Sequence, residues 1–159
     1  MAVHYKTLAD HIHQNGMKLM VAPFFNERYG GGAQSPAEYA AMWEHILKIA
    51  PLDVIALQDG IGTGGPPEPR HCTVETIPDW LAPLSNAIRD IRPTTELWAD
   101  VELYDEVVND RRFPASLDPI RQQLAAEAQY VSKMTSFSFN HFMSPKQFFG
   151  EYKKYVDEL

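Results

Sequence analysis

The stretch Val54-Ile55-Ala56-Leu57-Gln58-Asp59 decides the fold, because an unbroken apolar run passes directly into two polar residues. A run of this kind is what a strand covered on both faces requires. The pattern recurs in Leu19-Met20-Val21-Ala22-Pro23-Phe24-Phe25-Asn26, in Leu97-Trp98-Ala99-Asp100-Val101-Glu102 and in Met134-Thr135-Ser136-Phe137-Ser138-Phe139-Asn140-His141. Helical periodicity fills the intervals between these runs. Strands alternating with helices form a parallel sheet with crossover helices, and such sheets carry their chemistry at the carboxyl ends of the strands.

The expected strands are Met17–Phe25, the Val54 run, Glu96–Leu103 and Lys133–Phe142. Tyr5–Gln14 reads as a helix with Leu8 and Ile12 on one face, closed by Asn15-Gly16. Ser35, Pro36 and Glu38 make an N-terminal capping signature for a helix reaching Ile49, with Tyr39, Met42, Trp43, Ile46 and Leu47 along one side. Trp80, Leu81, Leu84, Ala87, Ile88 and Ile91 stripe a helix from Pro78 to Ile91, which Arg92-Pro93 stops. Ser116 caps a helix from Leu117 to Ser132, and Ser144-Pro145 opens a last one ending near Asp157. Tyr104–Ala115 reads as a charged, exposed loop.

The chain has 159 residues, whereas a complete eight-unit barrel takes roughly 200 or more. The reading is therefore half of a (β/α)8 TIM barrel: a single α/β domain over residues 1–159, with four parallel strands and crossover helices. Such a sheet has open edges, so it calls for a homodimer or a missing N-terminal half-barrel to complete it.

A net charge of -7 argues against nucleic acid as a partner. No basic amphipathic stretch or apolar run of about 20 residues points to a membrane. The start carries no apolar signal region, so a cytoplasmic location is expected. Cys72 is the only cysteine, which excludes an intrachain disulfide; it reads as a loop thiol. Gly60-Ile61-Gly62-Thr63-Gly64-Gly65 runs into Pro66-Pro67-Glu68-Pro69 rather than a helix, so it reads as a rim loop and not a phosphate cradle.

Asp100 and Glu102 lie two apart on one strand and so share a face. Val101 and Leu103 suit the helix side, which places both acids inside as the catalytic candidates. Gln58 shares its face with the small Ala56 and is a ligand contact. Asp59 is a second contact or the start of an Asx-turn before Gly60. Asn26, Trp98, Asn140 and His141, at or near the strand tips, complete the substrate-binding set. Glu102, Asp100 and His141 could make an oxygen and nitrogen metal site, but no clustered ligand spacing supports one. No metal or cofactor is expected.

Pro23-Phe24-Phe25, Ile55-Ala56-Leu57-Gln58-Asp59-Gly60, Glu96-Leu97-Trp98 with Val101-Glu102, and His141-Phe142-Met143-Ser144-Pro145 together resemble a known family. It is a glycoside-hydrolase-like TIM-barrel family catalogued mainly as a domain of unknown function. In order and spacing these pieces resemble its last four strands. The resemblance implies a carbohydrate ligand and a sugar-cleaving site, with Glu102 at the nucleophile position after the seventh strand. The family's Pro-His-Glu-like segment at the fourth strand has no counterpart here. Glycoside hydrolysis takes two carboxylates, so a second must come from a partner chain or an absent half. The alternatives are a non-catalytic carbohydrate-binding or structural remnant, and a metal-dependent sugar isomerase or lyase.

Overall fold

The computed structural model describes residues 1–24, 35–61, 72–107, 111–138 and 149–158. Helix α1 spans Ala2–Gln14, strand β1 Met20–Val21, helix α2 Pro36–Ile49 and strand β2 Val54–Gln58. A short 3-10 turn, Val74–Thr76, leads into helix α3, Ile77–Ile91, and strand β3, Glu96–Glu102. Strands β4, Tyr104–Val107, and β5, Arg111–Pro114, precede helix α4, Leu117–Glu127, strand β6, Lys133–Phe137, and helix α5, Phe149–Asp157.

The main sheet has the order β1-β2-β3-β6 with every pair parallel. Helices α2, α3 and α4 each connect one of its strands to the next. This is the α/β arrangement of parallel strands and crossover helices that the sequence foretells.

Alternation along the strands divides the two faces of the sheet. Leu19, Val21, Ile55, Leu57 and Leu97 join Tyr39, Trp43, Ile46, Leu47, Leu81, Leu84 and Ile88 in the larger core. Ala99, Val101, Leu103, Ala115 and Ile120 form a second cluster beneath α4. Each fully buried Leu, Ile or Val contributes roughly 1.5–3 kcal/mol relative to exposure. Tyr39 meets the rings of Trp43 and Trp80 edge-on, at centroid distances of 6.1 and 5.6 Å. That contact fixes α2 against α3.

The capping signature forms as read. The Glu38 amide donates to Ser35 Oγ, and the Glu38 carboxylate accepts from the Ser35 amide. Arg92 reaches back from the end of α3 to the Leu47 carbonyl. At the other margin, the Asp53 carboxylate accepts from the Leu19 amide and bonds His13 Nε2, each at 2.7 Å. One side chain thereby ties the end of α1 and the entry to β1 to the start of β2.

Several expected boundaries move. Strand β1 is two residues long, and its continuation is a single bridge between Phe24 and Gln58. Pro23 has no amide hydrogen for a ladder, although its carbonyl accepts from the Gln58 amide. The segment expected as an exposed loop contains an antiparallel hairpin of β4 and β5, with Tyr104 and Ala115 at its base both buried. Helix α4 ends at Glu127 and not at Ser132, and β6 ends at Phe137. Leu8 is 45% exposed. The core-facing side of α1 is Ala2, Tyr5, Ala9 and Ile12, with Tyr5 set against Trp43.

Candidate active site

The face of the sheet turned away from the helices carries the polar side chains. Gln58 is in register with Asp100, and Asp100 with Thr135. The bridge from Phe24 to Gln58 extends this row across the strands. Glu102 follows one step toward the carboxyl edge, in register with Phe137.

Asp100 is half-buried and accepts a hydrogen bond of 2.9 Å from Thr135 Oγ1. Burial raises its carboxyl above the ordinary range, and the Thr135 bond partly offsets this. Glu102 is only 2% exposed. A carboxyl buried at a strand tip is costly unless it is matched by polar contacts or protonated. Gln58 donates from Nε2 to the Ala22 carbonyl at 2.6 Å. This fixes the amide against β1 and leaves the other amide atoms for a ligand.

Trp98 shares this face but lies nearer the amino end of the sheet. Its Nε1 donates to Glu96 at 2.9 Å, and Lys133 Nζ sits 4.8 Å from the ring centroid. Lys133 also pairs with Glu96 at 3.0 Å. One face of the indole is thus taken by an internal cation–π contact.

Asp59 alternates away from Gln58 and enters the helix layer. It is 2% exposed and makes the Asx-turn, with the Ile61 amide donating to Oδ1 at 3.1 Å. Gly60 adopts a φ of +66°, which glycine takes without strain. The Asp59 carboxyl neighbours that of Glu127 on α4, and Asp59 Oδ2 and both Glu127 carboxyl oxygens are buried with no hydrogen-bond donor among the described residues. Desolvation, with Glu102 next in weight, pushes Asp59 up to about 7. Desolvation and the neighbouring Asp59 push Glu127 up to about 10. The two can meet as one neutral and one charged carboxyl, a shared-proton arrangement.

Cys72 borders this cluster, fully buried, with Sγ 3.5 Å from Thr76 Oγ1. Desolvation chiefly, with the nearby carboxylates, drives its thiol up to about 12. It is a core residue and not the loop thiol expected. Asn26, Asn140 and His141, together with the glycine- and proline-rich segment from 62 to 71, lie outside the described residues. Among the described residues no three His, Cys, Asp or Glu side chains are grouped to hold a metal ion.

The sequence reading passed over Glu127. Its signal was available: Ile120, Gln123 and Glu127 follow one another at helical spacing, and all three are buried. An acid in an apolar stripe needs a polar partner or a proton.

These features define a TIM-barrel-like α/β protein with carboxyls at the carboxyl edge of its sheet. Over 98% of its length the chain matches a crystal structure described as that of "a putative alpha-L-fucosidase from Bacteroides thetaiotaomicron VPI-5482", with a TM-score of 0.76 and 20% identity. The match takes in 50% of that protein, so this chain spans about half its length. A weaker match, to an HMG-CoA lyase from Brucella melitensis, has a TM-score of 0.45 and 18% identity, over 84% of this chain and 39% of that one. No curated protein matches the chain. The model of the family described as "Domain of unknown function (DUF4434)" matches residues 3–148, and the chain belongs to that family. Among the described residues, no helix is long and apolar enough to cross a membrane.

Proposed function

We propose that this chain is half of a TIM-barrel glycoside-hydrolase-like site that takes carbohydrate at the carboxyl edge of its sheet. One observation carries the reading: Asp100 and Glu102 share the face opposite the helices, at the end of a parallel strand where barrel enzymes place their chemistry. The likeness in fold to the protein described as a fucosidase supports the same reading.

In this proposal Glu102 is the nucleophile or base. Its burial strengthens its interaction with positive charge developing on a sugar ring. Asp100, held by Thr135, and Gln58, held by the Ala22 carbonyl, bind hydroxyl groups. Both acids belong to one strand and so form one wall of the site. Glycoside cleavage takes a carboxyl on each side of the scissile bond, so the opposite wall comes from outside this four-stranded unit.

The test is Glu102→Gln against a panel of aryl glycosides. We expect hydrolysis to fall by a factor on the order of 10³ while sugar binding, followed by calorimetry, survives. Unchanged turnover would remove Glu102 from its role. Binding in both proteins with turnover in neither would favour carbohydrate binding without catalysis, a reading that the single acidic wall also supports.

A further inference from the structure

We infer that Asp59 is a positioning residue for the site: it and Glu102 share one negative charge across the carboxyl edge of the sheet, so a change of charge at Glu102 is answered by Asp59 in the helix layer. This rests on the place given to Glu102 above. Gln58 is in register with Asp100. Continued by one residue, that register sets Asp59 beside Val101 and one step from Glu102. Neighbouring strands stand about 4.8 Å apart and advance about 3.3 Å per residue, so the two backbones lie about 6 Å from each other. Asp59 and Glu102 are each 2% exposed. Their side chains leave the sheet on opposite faces, and inside a protein charge carries across such a gap far better than in water.

The surroundings of Asp59 suit a proton and not a second anion. Gln123 and Glu127 are four apart on α4, hence on one face, and both are buried. Among the described residues, Asp59 Oδ2, Gln123 Oε1 and both Glu127 carboxyl oxygens meet no hydrogen-bond donor. Buried acceptors without donors favour the protonated acid. The titratable groups that bear on Asp59 among the described residues are Glu102 and Asp100 on β3, Glu127 on α4 and Cys72 ahead of the 3-10 turn. All four are acids. Glu102 ranks next to desolvation in raising the Asp59 carboxyl, and Asp100 adds less. Glu102 as an anion therefore keeps the proton on Asp59. When Glu102 takes a proton as base, that hold is released, and Asp59 gives its own proton to solvent at lower pH. The pair thus returns toward one negative charge, and the pH range over which Glu102 works is set partly from behind the sheet.

The test follows carboxyl carbon-13 shifts through a pH titration of the full chain. The Asp59 midpoint in the wild type should lie at about 7. Glu102→Gln, which keeps shape and removes charge, should lower it by on the order of one pH unit, and Asp100→Asn should lower it less. An unmoved or raised midpoint in folded Glu102→Gln overturns the proposal, as does an equal or larger shift in Asp100→Asn. Wild-type Glu102 offers a second readout that needs no variant at that position. Its signal should carry an inflection at the Asp59 midpoint, and Asp59→Asn should abolish it. A Glu102 signal with no such inflection, or one that persists in Asp59→Asn, also overturns the proposal. Neither readout involves a sugar. Coupling without glycoside turnover defeats only the functional reading, and turnover without coupling defeats only this inference.

Discussion

The carboxyls of Asp59, just past β2, and Glu127, at the end of α4, neighbour each other inside the protein, and Asp59 Oδ2 and both Glu127 carboxyl oxygens are buried with no hydrogen-bond donor among the described residues. Two buried anions with no donor between them repel, so folding retains a proton that the unfolded chain would release. Both groups lie above their ordinary values, at about 7 and about 10. Their contribution to stability is therefore complete in acid, near and below the ordinary carboxyl range, and drains away as pH rises through these values. We expect the melting temperature to fall between about pH 5 and about pH 9, and Asp59→Asn to flatten that decline markedly. Parallel curves for wild type and variant would show that the pair holds no extra proton.

Asp53 titrates in the opposite sense. Burial raises its carboxyl, but hydrogen bonds from His13 and the Leu19 amide outweigh that and hold it below the ordinary range. The stability it contributes is present at neutral pH and is lost as pH falls through its lowered value. Asp53→Asn should cost about 1–2 kcal/mol in urea unfolding at neutral pH and much less in strong acid. An equal cost at both pH values would sever the link to ionisation.

Thr135→Val preserves shape and removes the hydroxyl that Asp100 accepts from. The Asp100 carboxyl, already raised by burial, should titrate still higher, as carbon-13 carboxyl shifts can follow. The stability cost should be on the order of 1 kcal/mol. A downward shift would mean that another group governs Asp100.

Ser35→Ala removes the hydroxyl that accepts from the Glu38 amide and donates to the Glu38 carboxylate, and leaves the bond from the residue 35 amide to that carboxylate in place. A loss of about 1 kcal/mol is expected, seen as a drop in melting temperature of about 2–4 °C. No change would place the start of α2 under the control of its packing alone.

Much of this architecture is legible in local patterns. Apolar runs with polar tips gave the parallel strands, and Ser35, Pro36 and Glu38 marked the start of α2 to the residue. The face shared by Asp100 and Glu102 follows from the two-residue period of a strand. What escaped depends on partners distant in sequence. Asp59 and Glu127 are 68 positions apart, 127 less 59, and no local window contains both. The β4–β5 hairpin escaped because Asp105, Glu106, Arg111 and Arg112 read as a solvated loop; only pairing across the turn makes them strands. The short β1 reflects Pro23, which brings no amide donor to a ladder.

The burial of Cys72 makes the chain's sole sulfhydryl a natural clock. With its ionisation displaced to about 12, the reactive anion is almost absent while the surrounding shell is shut. An alkylating reagent must wait for that shell to part. The rate of label uptake therefore counts how often the seam joining β2, α3 and α4 breathes, with no engineered reporter required.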